Sequence, residues 1–345
     1  MSLRAVAATA VTVAVVAGGV AHAEPPTPEQ PMVLRIATVA PEGSPWAHEL
    51  RHASRRIAEA TQGAVTVRWF FNATAGDELE QLERLKRGQL DGAASGHMLC
   101  ERLAPSLRIG HLPALFQSRD EASAVIAGLL PQLEREAHQA GFSMLAVSGL
   151  GPALFFTRAP VKTLAELRRL KLWRWAADEV GVAASRAMGL DVVALPVWDA
   201  ARAYDDGRTD GFLAIPSAAL AFQWSAQARY LIDLRGAYLF GCLVIADRAF
   251  ARLTAEQQAA VRDVAARMRE RYEDLGRRVD EQLLGGLFAK QGLTVLGASE
   301  SFRAEFFAAA RASRASVIDR YVPPSLVERV QGMLADYRAE HRTNP

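Results

Sequence analysis

Tyr238-Leu239-Phe240-Gly241-Cys242-Leu243-Val244-Ile245-Ala246-Asp247 is a nearly unbroken apolar run late in the chain. It reads as a long buried strand that crosses back from the second half of the molecule to the first. Behind it, Thr254 and Gln257 form a capping box for a helix that reaches almost to Gly285. At 1.5 Å per residue this helix extends roughly 45 Å, enough to lie along two lobes. A returning strand and a spanning helix together predict a hinged clamp.

Upstream, strand and helix patterns alternate. Strands are expected over 33–39, 65–71, 90–94 and 142–147. A helix opens at Trp46 after the Ala40–Pro45 loop, and another covers 78–87 and stops at Gly88. The second half repeats the scheme. Strands are expected over 153–158, through Trp175, over 191–195 and over 209–213, with helices capped by Thr163 and Glu166, over 178–188, and over 197–204. The alternation predicts α/β lobes with mainly parallel sheets. Lobe I is expected from 33–149 plus 238–280, lobe II from 150–237 plus 281–318, and a C-terminal helical segment, 319–345, to pack on the lobes.

Composition agrees with this size. The 345 residues are 50% hydrophobic and carry a formal charge of +2, which gives no reason to expect nucleic acid as a partner. Arg4, the apolar run over 5–20 and Ala21-His22-Ala23 form a signal-peptide pattern, so residues 1–23 are expected to be cleaved and the product to be periplasmic. No cysteine stands near that junction to accept a lipid. Residues 24–32, with Pro25, Pro26, Pro28 and Pro31, read as an extended linker. Cys100 and Cys242 are open to two readings, a bridge or two buried thiols, because sequence does not give their separation.

Leu170-Lys171-Leu172-Trp173-Arg174-Trp175 bears on ligand choice. Alternation along a strand puts Trp173 and Trp175 on one face and Arg174 on the other. Catalytic signatures are few. His48-Glu49-Leu50-Arg51-His52 has metalloprotease spacing and would make a secreted zinc hydrolase. However, Trp46, Leu50, Ala53 and Ile57 form the apolar stripe of that helix, so both histidines should face water. There is no P-loop, G-x-S-x-G elbow or dinucleotide turn, and no cofactor is expected.

The order of several segments resembles the DctP-type solute-binding proteins of TRAP transporters. They are Leu34-Arg35-Ile36-Ala37 with Pro41-Glu42-Gly43-Ser44-Pro45-Trp46, Arg87-Gly88-Gln89-Leu90-Asp91-Gly92-Ala93, and Leu112-Pro113-Ala114-Leu115-Phe116. Pro160 to Leu167, Gly207-Arg208-Thr209-Asp210-Gly211 before Pro216, and Leu253 to Gln258 continue the series. The resemblance implies an α/β, two-lobed, type II-like periplasmic-binding-protein architecture, an extracytoplasmic receptor that closes on a small-molecule solute and delivers it to a membrane permease. In typical members an arginine that grips the ligand carboxylate stands where this chain has Trp173. A second basic position falls near Pro152, and a polar amide position falls among Phe212 to Ile215.

With three polar positions turned apolar, the expected contacts are Trp173, Trp175, Phe212, Trp198, Phe155, Trp46, Ser95, Met98 and Ile215. Burying an unpaired anion costs several kcal/mol, whereas covering an apolar ligand returns about 25 cal/mol per Å². A hydrophobic or aromatic solute is therefore expected, as in the family subset that works beside a tetratricopeptide-repeat protein. The alternative is an organic acid held by a different basic residue.

Overall fold

The computed structural model describes residues 31–341, so the expected leader and nearly all of the linker lie outside the described residues. Eleven strands follow in chain order. They are β1 (Met32–Ala37), β2 (Val65–Phe70), β3 (Gly92–Ser95), β4 (Phe142–Pro152), β5 (Leu154–Thr157), β6 (Lys171–Trp175), β7 (Asp191–Leu195), β8 (Gly211–Ala214), β9 (Tyr230–Ile232), β10 (Tyr238–Ala246) and β11 (Thr294–Leu296). They form two sheets, ordered β2-β1-β3-β10-β4 and β11-β9-β5-β8-β6-β7, one for each lobe of a mixed α/β clamp.

The long apolar run is the crossing strand. β10 enters the first sheet antiparallel to both β3 and β4. The sheets are therefore mixed rather than mainly parallel. Two chain segments pass between the sheets side by side: β4 runs through Pro152 into β5, and β9 returns through residues 233–237 into β10. Ala153 N–H donates to the Ala237 carbonyl where they cross, at 2.9 Å. Ser148-Gly149-Leu150-Gly151 continues β4 up to this crossing, with Gly151 at φ +132°. The β4–β10 ladder slips register at Leu239/Phe240 and at Leu243/Val244.

Helix starts follow local chemistry. Ser44 caps Pro45–Ala60, and proline at its first position costs no hydrogen bond. Asp77 and Glu80 complete a capping box on Glu78–Lys86, and Thr254 and Gln257 complete the one on Ala255–Gln282. That long helix ends earlier than its periodicity predicts, in a wide turn over Leu283–Leu287 where Gly286 takes φ +137°. It packs with Pro45–Ala60 on one face of the first sheet, burying Leu34, Ile36, Leu50, Ile57, Val261 and Val264. Each such side chain contributes about 1.5–3 kcal/mol. The other face is covered by Arg119–Gln139 and by the C-terminal helix Pro324–Glu340, through Leu129, Leu133, Val327 and Val330. Cys100, on the helix His97–Leu103, and Cys242, on β10, are disulfide-bonded with Cα atoms 5.8 Å apart, which resolves the reading left open above.

Candidate functional site

A cavity of about 340 Å³ lies between the sheets. This is within the usual range for small-molecule sites. The first lobe supplies Trp46, Leu150, Leu239, Met268 and Tyr272, and the second supplies Phe155, Trp175, Ile215, Phe222 and Trp224. Trp46 packs against Tyr272 with ring centres 5.0 Å apart, and the Tyr272 hydroxyl donates to the Trp46 carbonyl at 3.0 Å. Burial raises the Tyr272 phenol far above its ordinary value, so it stays a neutral donor.

Six expected contacts line this cavity: Trp46, Ser95, Phe155, Trp173, Trp175 and Ile215. Trp173 is only 4% exposed and packs edge-on against Trp224 at 5.4 Å, so it presents little of itself. Three do not line it. Met98 is buried on the helix His97–Leu103 of the first lobe and is not part of the cavity wall. Phe212 stacks on Phe156 at 5.0 Å inside the second lobe, because it lies two residues deeper along β8 than the strand end that opens on the cavity. Trp198, on the short turn Val197–Asp199, is 67% exposed to solvent. Trp224 and Phe222 are cavity wall as well.

Arg174 also departs from expectation. Alternation does place it opposite Trp173 and Trp175, yet it lines the cavity. β6 ends at the cleft, and where a strand ends at a ligand site both of its faces reach the opening. Its guanidinium is already engaged: Nη2 donates to Asp178 Oδ2 at 2.5 Å, with side-chain exposures of 11% and 7%. The Gly181 N–H donates to Asp178 Oδ1 at 2.8 Å. A Cβ at position 181 would come within 1.6 Å of Arg174 Nη2, so glycine is what makes room for this pair.

The pair continues into the first lobe. His111 Nδ1 is 3.3 Å from Asp178 Oδ1, and its Nε2 is 2.6 Å from Glu101 Oε1. The His97 ring lies 5.1 Å from that of His111 and 6.3 Å, edge-on, from Trp175. Burial works to lower His111, but the Glu101 and Asp178 carboxylates outweigh it and raise its pKa. For His97 burial prevails and lowers the pKa. Burial works to raise Asp178, but His111 and Arg174 hold it well below the usual carboxylate range. Sequence reading missed this network because its members sit on separate segments. The one local signal is His97 and Glu101, one helical turn apart.

Glu78 closes the cluster from behind, accepting from Leu99 N–H at 3.2 Å. Gly96 leaves the room it needs, since a Cβ there would lie 2.2 Å from Glu78 Oε1. Burial pushes its carboxyl from 4.5 up to about 7. Between about pH 4.5 and 7 the folded chain holds a proton that the unfolded chain releases, so stability falls as pH rises through that window, by about 3 kcal/mol in all. Urea unfolding of Glu78→Gln at pH 5 and pH 7.5 should show most of this slope gone; an unchanged slope would remove Glu78 as its source.

The metalloprotease-like motif is occupied otherwise. Glu49 takes two hydrogen bonds from Arg271, at 2.6 and 3.0 Å, which hold its carboxyl below the usual range, and His48 is exposed. Glu49, which would serve as the base beside a zinc held by His48 and His52, is thus tied into an ion pair between the two helices.

Comparison with known proteins is consistent with this geometry. The family model DctP, bacterial extracellular solute-binding protein, family 7, matches residues 36–319. A solute-binding protein of Verminephrobacter eiseniae is 26% identical over 248 residues, covering 70% of this chain and 72% of that protein. YiiZ of Salmonella typhimurium, an uncharacterized protein, is 24% identical over 234 residues, covering 66% and 70%. The fold is similar to that of DctP7, a Bordetella pertussis extracytoplasmic solute receptor binding pyroglutamic acid, with TM-score 0.79, 19% identity and coverage of 88% and 99%. It is similar too to a TRAP periplasmic solute-binding protein of Haemophilus influenzae with bound L-gulonate, with TM-score 0.80, 17% identity and coverage of 87% and 99%.

Proposed function

The chain belongs to the DctP family of bacterial extracellular solute-binding proteins, receptors rather than enzymes, and from that premise we propose that it serves a TRAP-type transporter by capturing a hydrophobic or aromatic small molecule. On this reading residues 1–23 direct it to the periplasm. It passes its solute to membrane permease subunits, and a tetratricopeptide-repeat protein is its further partner. The solute rests on Trp46, Trp175 and Trp224, with Phe155, Ile215 and the edge of Trp173 beneath it and Ser95 at the first-lobe side.

One observation carries the solute class. The Arg174 guanidinium reaches the cavity but is neutralised by Asp178, and Arg269, also in the wall, is 3.6 Å from Glu273. A carboxylate entering among indoles would have to break a buried pair to be compensated. The organic-acid reading is favoured by one specific fact: Arg174 Nε is buried and has no hydrogen-bond partner among the described residues. The Bordetella and Haemophilus proteins of similar fold hold acids.

Binding of N-phenyl-1-naphthylamine, an uncharged apolar fluorophore, is expected to quench tryptophan emission, while succinate, malate and L-gulonate bind more weakly than about 1 mM. Native mass spectrometry of freshly purified protein should show a co-purified apolar molecule. Tight binding of any of the three acids by the unaltered protein would replace this reading with the second one.

A further inference from the structure

We propose that His97, His111 and Asp178 form a divalent transition-metal site, with zinc the best fit, that joins the two lobes at the cavity wall. The three offer one ligand atom each, all within 4.8 Å of one another. They are the only such group of histidine, cysteine, aspartate or glutamate among the described residues. Two imidazoles and one carboxylate are a common catalytic or open zinc set.

One of the three spacings already suits a metal. With bonds of about 2.0–2.1 Å at a tetrahedral angle, two zinc ligands stand about 3.3 Å apart. His111 Nδ1 and Asp178 Oδ1 are 3.3 Å apart. The His97 side chain makes no hydrogen bond among the described residues, so its ring nitrogen is available as the third ligand. All three side chains line the cavity, so a fourth position opens towards it, for water or one donor atom of a solute.

The surroundings resemble a metal site's outer contacts. His111 Nε2 meets Glu101 Oε1 at 2.6 Å, the carboxylate contact that orients a ligating histidine and strengthens it as a donor. Asp178 is fixed by Arg174 and by the Gly181 N–H. With neutral imidazoles, Asp178 and Glu101 against Arg174 leave one net negative charge, which favours a dication. Lobe I gives the histidines and lobe II the aspartate, so a bound ion holds the clamp shut.

The test uses the full chain stripped with EDTA and titrated with zinc alone, without solute, so its outcome is independent of the solute reading above. One zinc per chain is expected with submicromolar affinity. Cobalt(II) in its place should give the visible absorption of a tetrahedral site. Affinity should fall by about 100-fold in His97→Gln and in Asp178→Asn and by about 10-fold in Glu101→Gln. It should be unchanged in the His48→Ala, His52→Ala double variant. Circular dichroism establishes that each variant is folded. Absence of stoichiometric zinc, or zinc retained in folded His97→Gln and Asp178→Asn, or lost only in the His48/His52 variant, overturns the proposal.

Discussion

Cys100→Ser combined with Cys242→Ser should lower the thermal unfolding midpoint by roughly 10 °C, the largest stability change expected from any pair of substitutions here. The two sulfurs join positions 142 residues apart, and closing a loop of that length removes about 5 kcal/mol of unfolded-chain entropy in the chain-entropy treatment. The bond also fixes the short helix His97–Leu103 to β10, and that helix carries both His97 and Glu101. Differential scanning calorimetry with and without dithiothreitol checks this. The reduced native protein and the double variant should converge. A shift under about 2 °C would mean that packing around position 100 already holds the helix in place.

Asp178→Asn should turn the cavity into an anion site. Asparagine still caps the helix Glu179–Ala187 and leaves the His111–Glu101 contact intact, so the fold should survive. What changes is Arg174, whose guanidinium loses its counter-ion while remaining in the wall. A charge-assisted hydrogen bond contributes about 1.5–3 kcal/mol, so succinate or L-gulonate should bind about 10- to 100-fold more tightly than to the unaltered chain. Calorimetric titration of both proteins side by side measures this. If the affinities match, the Asp178 pairing does not set the solute class. Trp173→Arg is a poorer probe, because Trp173 is packed among Tyr204, Phe212 and Trp224, where a guanidinium would be buried without a partner.

The architecture was legible because it depends on local signals that the chain states openly. The apolar run before Asp247, the capping pair Thr254 and Gln257, and the turn glycine Gly88 each act within a few residues. The direction of β10 was not legible, since nothing local says which neighbour a buried strand will pair with. The tryptophan strand shows the limit most sharply. Its alternation put Trp173 and Arg174 on the correct faces, but which face meets the cavity depends on where the strand stops. The Glu101, His111, Asp178 and Arg174 network depends on segments brought together only by folding. Position-by-position reading had no means of finding it.

The paired crossing at Ala153 and Ala237 has a mechanical consequence. Two hydrogen-bonded ribbons side by side act as a leaf spring: they flex about one axis and resist shear and torsion about the others. The slip in the β4–β10 ladder at Leu239/Phe240 puts a compliant point beside that crossing. The joint at this crossing is therefore made of backbone, so side chains in the mouth can be exchanged while the joint stays in place.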